Sequence, residues 1–147
     1  MKKMSEVVGA VLSLILLVVI PAHSADAQFK VIVNSGITGR TVPRDVLAKI
    51  YLGDVQRWAN GDSITAVDLS STSVVRQAFS EQVVGMSVDA VMHHWLGKVT
   101  ASTRLLPPKS QPTDEAVIAL VAGQRGGVGY VSIGTALPAT VHEVAVE

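Results

Sequence analysis

From Phe29 onward, short runs rich in β-branched residues take turns with stretches whose apolar residues recur at helical spacing. That alternation confines the fold to the α/β class, as one domain of two or three layers. FKVIVNS (Phe29 to Ser35) reads as a buried strand, ended by the turn-like SGITGR. Pro43 suits a first helical position and Asp45 the first turn of a helix. Val46, Leu47, Ile50 and Tyr51 share one face of that helix, and Gly53 stops it. A turn at Asn60 to Asp62 leads into a strand, SITAVDL. A second helix starts near Ser73, puts Val75, Ala78, Phe79 and Val83 on one side, and ends at Gly85. Ser87 caps a third, whose Val88, Val91, Met92, Trp95 and Leu96 form the clearest apolar stripe in the chain. LLPPKSQP is extended and stiffened by proline. Thr113 then caps a helix with Asp114 and Glu115 in its first turn and Val117, Leu120 and Val121 turned inward. GGVGYVSIG is a glycine-flanked strand, and TVHEVAV alternates as the last one.

The start of the chain belongs to a different class. MKK is basic, Val7 to Ile20 carry no charge, and PAHSADAQ offers small residues at Ala22 and Ser24 or at Ala25 and Ala27. These three regions in this order predict a signal peptide over residues 1–27, cleaved after Ser24 or Ala27. The apolar run is shorter than the about 20 residues that a spanning helix needs. The expected product is an exported, periplasmic domain over residues 28–147. Removing Lys2 and Lys3 with Glu6 and Asp26 takes two charges of each sign from a chain of 12 basic and 12 acidic residues. The remainder is neutral, so no basic face marks it for nucleic acid. The chain has no cysteine, which excludes thiol nucleophiles and thiolate metal sites.

Asp68 to Phe79, DLSSTSVVRQAF, is the stretch with the most suggestive chemistry. A strand followed by hydroxyl residues and then a helix leaves backbone N–H groups free at the positive end of the helix dipole, where anions bind. Ser71, Thr72 and Ser73 add hydroxyls, and Arg76 in the first turn can add a charge-assisted fork. Serine and threonine are also the usual helix caps, so the same residues fit a capped helix without a ligand. Other motifs lead nowhere. His93 and His94 are adjacent and project about 100° apart on a helix, and Asp89 with His93 lacks a third ligand, so no metal is expected. GVGYVS lies within a strand and lacks a third glycine, so it is not a dinucleotide loop, and no cofactor is expected. No nucleophile and base can be paired, so the chain is not read as an enzyme. Trp58 and Trp95 are assigned to packing.

Read in order, RDVLAKIYLGDVQRWANGDSITAVDL, VVRQAFSEQVVG, HHW, Pro107-Pro108, DEAVIALVAGQRGGVGYVS and VHEVAV resemble the phosphate-type periplasmic substrate-binding proteins of ABC transporters. The first segment is similar to the family passage iF.G....W.dG..I.pv. The resemblance covers nearly all of residues 28–147 and is strongest to the short, single-domain members. It implies one lobe of a type-2 periplasmic-binding-protein-like fold, a central mixed sheet flanked by helices. Phe29 to Ser35 and Gly127 to Ser132 would be the strands that cross to a second lobe, which this sequence lacks. The family's phosphate loop, R-x-D-G-S-G-T, falls on Asp68 to Ser73. Ser71, Thr72 and Ser73 keep its hydroxyls. The family arginine and glycines are missing, Asp68 adds a negative charge, and Arg76 is expected to compensate. Ser35, at the end of the first strand, is expected to border the same cleft.

The function implied is weak binding of phosphate or a similar oxyanion, in the high micromolar to millimolar range, beside an ABC transport system. The expected partners are the anion and a permease, a membrane sensor or a second copy of the chain. The alternative from another class is a ligand-free interaction module that docks on a membrane sensor or transporter.

Overall fold

The computed structural model describes residues 28–101 and 104–147. The expected signal peptide lies outside the described residues. Among those described, no helix is long and apolar enough to cross a membrane.

Six strands build one mixed sheet: β1 (Phe29–Asn34), β2 (Thr41–Val42), β3 (Thr65–Leu69), β4 (Lys109–Gln111), β5 (Gly127–Ser132) and β6 (Val141–Val146). Their order across the sheet is β2-β6-β1-β5-β3-β4. β1 is antiparallel to both β5 and β6. β3 is parallel to β4 and β5, and β2 is parallel to β6. The expected strands are present, and β1 and β5 are central because every side chain from Val31 to Val33 and from Val128 to Val131 is apolar, aromatic or glycine and buried. β2 is not among the expected strands, and β4 lies in the segment expected to be extended.

The helices are α1 (Arg44–Tyr51), α2 (Val74–Phe79), α3 (Val88–Thr100) and α4 (Asp114–Gly123). Pro43 stands one residue before α1. The second expected helix begins as α2 but widens into a π-helical turn, Ser80–Val84, before Gly85 ends it at φ 76°. Ser73, Ser87 and Thr113 each accept a capping hydrogen bond from a backbone N–H three residues on. α3 differs from its stripe: Val91 and Trp95 are buried, but Met92 and Leu96 are exposed.

Neighbouring residues of β5 define the layers. A Cβ on Gly129 would come within 2.8 Å of Val117 Cγ1, so α4 lies against that face at a distance only glycine permits. Tyr130 points to the opposite face, where it meets Phe79, Tyr51 and Phe29. α1 and α2 therefore cover the aromatic side, α4 the other, in three layers. Asn34 Nδ2 donates to the carbonyls of Val121 and Ala122 at 3.1 and 3.0 Å, tying the end of β1 to the end of α4.

Strand direction places the two ends of the sheet. Phe29 pairs with Ser132 and Val33 with Val128, while Thr65 starts β3 beside Gly127. The start of β1 thus shares one end of the sheet with the ends of β3 and β5.

Candidate oxyanion-binding loop

β3 leads directly into the loop Ser70 to Ser73. Val67, Asp68 and Leu69 are all buried, so the strand carries a carboxylate into the core and must satisfy it there. Arg76, from the first turn of α2, folds back over the strand. Its Nη2 lies 3.2 Å from Asp68 Oδ2, and its Nη1 donates to the Leu69 carbonyl at 2.9 Å. The Tyr130 hydroxyl donates to Asp68 Oδ1, which also accepts from the Leu69 N–H at 3.0 Å. Beneath this network Phe79 stacks on Tyr130 at 3.8 Å with the planes 5° apart. Tyr51 packs edge-on against Phe79 and donates to the Val67 carbonyl at 2.8 Å.

The aromatic box governs the ionisation of its polar members. Burial raises Asp68 above the usual carboxylate range, against the opposing pull of Arg76, the Tyr130 hydroxyl and the Leu69 N–H. Burial, and then the adjacent Asp68, push the Tyr130 hydroxyl well up. Tyr51 is pushed up by burial, with Tyr130 and Asp68 adding to it. Both phenols therefore stay neutral and act as donors.

The loop lies just outside this network. Ser70 N–H donates to the Gln111 carbonyl at 2.9 Å, and the Ser70 and Thr72 hydroxyls share a hydrogen bond of 3.2 Å. Ser71 and Thr72 are exposed. Ser73 Oγ accepts from Arg76 N–H at 3.3 Å, and the Gln77 N–H is used by the Ser73 carbonyl. The Val74 and Val75 N–H groups head the helix, where intrahelical acceptors are lacking.

Of the five residues expected to hold an anion, the structure groups four. Ser71, Thr72 and Ser73 are consecutive, and Arg76 follows in the first turn of α2. Arg76 is turned inward, however, and its charge meets Asp68 rather than solvent, because a buried carboxylate left alone would cost more than an exposed loop would gain. The expectation for Ser35 is corrected. β1 runs against β3, so Ser35, just past Asn34, is at the opposite end of the sheet, near Thr38, Arg40 and His142. Its N–H donates to the Thr140 carbonyl. The part that sequence reading missed is Tyr130, and no spacing rule could have joined it to Asp68. His94 Nε2 contacts the Leu52 carbonyl at 2.9 Å, and Trp95 Nε1 donates to the Tyr51 carbonyl at 3.0 Å, so both serve helix packing. No group of metal-ligating side chains forms among the described residues.

The fold has counterparts among solved structures. An ABC-type phosphate transport receptor from Vibrio cholerae superposes with a TM-score of 0.61 at 19% identity, over 80% of this chain and 45% of that one. PstS from Borrelia burgdorferi gives 0.63 at 15% identity, over 81% and 47%. A Clostridium perfringens substrate-binding protein, solved with bound phosphate, gives 0.61 at 20% identity, over 80% and 44%. The chain has the fold of phosphate-type binding proteins. It spans less than half the length of these receptors. No protein-family description and no curated protein matches the sequence.

Proposed function

We propose that this chain is an exported substrate-binding-like protein that holds phosphate or a similar oxyanion on the loop Ser71 to Ser73, in association with an ABC transport system. The observation that carries the reading is the fold, shared with phosphate receptors, together with a hydroxyl-rich loop that follows a central strand and opens a helix. In this reading the donors are neutral: the Ser71 and Thr72 hydroxyls and the first backbone N–H groups of α2. Arg76 contributes only a background field, since Asp68 offsets it at 3.2 Å. An open, water-screened loop without a free cation binds weakly, in the high micromolar to millimolar range.

The inward Arg76 also favours a second reading, a binding-protein fold used for partner docking without a ligand. Val74 and Ile133 are exposed apolar residues at the same end of the sheet and would border such a contact.

Calorimetric titration with phosphate at low ionic strength, with sulfate as control, separates the two. Saturable heat that disappears in the Ser71→Ala, Thr72→Ala double variant is the expected result. No heat at millimolar phosphate leaves a capped helix and supports the docking reading.

A further inference from the structure

A cluster of unbalanced positive charge lies away from the loop. A cavity of 360 Å³ opens between the end of α1, Trp95 of α3, the first residues of β3 and the segment Leu105 to Lys109. Ile50, Val55, Ile64, Trp95 and Pro107 supply its apolar surface, and Gln56, Ser63 and Thr65 add polar groups. Arg57, Arg104 and Lys109 line it, and among the described residues no carboxylate does. In a chain of zero net charge that bias is local and specific. The two carboxylates nearest in sequence to the lining are already engaged: Asp54 with Lys98 at 2.6 Å, and Asp62 with Arg125 at 3.3 Å. Arg57 gives one N–H to the Gly61 carbonyl at 2.9 Å and keeps its other donors. Arg104 and Lys109 form no ion pair among the described residues.

The aromatic wall is fixed in place. Trp95 Nε1 is tied to the Tyr51 carbonyl, and the ring lies so close over Gly53 that a Cβ there would come within 2.5 Å of it. Gly53 has φ +79°, so glycine is required both by its backbone and by the indole. The result is a rigid aromatic surface beside three cations, in a volume typical of small-molecule sites.

We propose that this cavity is a second ligand site, for a small organic anion with a flat apolar body and two acidic groups. The acidic groups pair with Arg57 and Lys109, and the body lies against Trp95 and Pro107. Burial of the body removes apolar surface from water, and the cations set orientation and supply the charge-assisted hydrogen bonds. The site is independent of the loop reading, because it opens at the start of β3 and the loop follows its end.

The test is a titration of the chain with phthalate, followed by the NMR signal of the Trp95 indole N–H. A saturable shift is expected, with affinity falling tenfold or more in the Arg57→Gln, Lys109→Gln double variant and with added salt. Both side chains are exposed, so the variant should melt as the parent does, and its melting curve serves as the folding control. Inorganic phosphate, which has no apolar body, should leave the indole signal in place at the same concentrations. No saturable shift by about 10 mM phthalate, a limit set by the weakest useful affinities, overturns the proposal. So does equal affinity in the double variant, or an equal response to inorganic phosphate.

Discussion

Asp68→Ala is expected to destabilise the fold by about 3–5 kcal/mol, because it strands the Arg76 guanidinium in the core. The side chains of Arg76 and Asp68 are 12% and 8% exposed, so water cannot replace the lost partner. The variant also removes the acceptor of the Tyr130 hydroxyl. Arg76→Ala should cost a comparable amount for the mirror-image reason, leaving a buried carboxylate with the Tyr130 hydroxyl and the Leu69 N–H as its remaining donors. The double variant Asp68→Leu, Arg76→Met removes both charges and should recover most of the loss. Urea unfolding of the three proteins measures all of this. Single and double variants of equal stability would show that the pair is not a buried, coupled unit.

The same pair sets a pH signature. The folded Asp68 has its pKa raised, so its contribution is fully present below the unfolded carboxylate value and fades as pH rises through the folded one. Asp68→Asn lacks this dependence. The stability difference between parent and Asp68→Asn should therefore favour the parent most in acid and shrink toward neutrality. A difference that instead grows with rising pH would mean that Arg76 dominates the carboxylate and that its pKa is depressed.

The second large effect is expected from Phe79→Ala, about 3–5 kcal/mol, the usual cost of emptying a buried aromatic position. Phe79 is 2% exposed and lies between Tyr130 at 3.8 Å, Tyr51 at 4.7 Å and Phe29 at 5.4 Å. Its loss opens a cavity under the Asp68–Arg76 network and joins α2 less firmly to the sheet. Against a total of about 5–15 kcal/mol for an ordinary domain, about a fifth of the stability or more would go. Phe79→Leu, which fills most of the space, should cost less. Equal midpoints for parent and Phe79→Ala in a denaturant titration would contradict this packing.

Much of the fold is legible in the sequence because its signals are local. Val31 to Val33 and Val128 to Val131 mark themselves as buried strands, and Ser73, Ser87 and Thr113 mark their helices by caps that the structure contains. β4 is not legible: three residues between Pro108 and Pro112 become a strand only because β3 supplies the partner. The stripe on α3 identifies a helix, but not that only its Val91 and Trp95 side meets the rest of the molecule. The candidate loop was legible as hydroxyls before a helix. The partner of Arg76 was not, since helix spacing suggests a solvent-facing cation and Tyr130 enters from 62 residues beyond Asp68. Ser35 was misplaced for a related reason. Whether a strand runs with or against its neighbours is decided by chain topology, not by the residues within it.

The central claim is that phosphate meets the Ser71 and Thr72 hydroxyls and the Val74 and Val75 N–H groups, while Arg76 stays with Asp68. Backbone amide NMR of the chain from Gln28 onward, titrated with phosphate at low ionic strength, tests it most directly. The expected result is saturable shifts confined to the N–H groups of Ser71 to Val75, with the Arg76 side-chain signals unmoved. Shifts centred elsewhere, or none at millimolar phosphate, would contradict it.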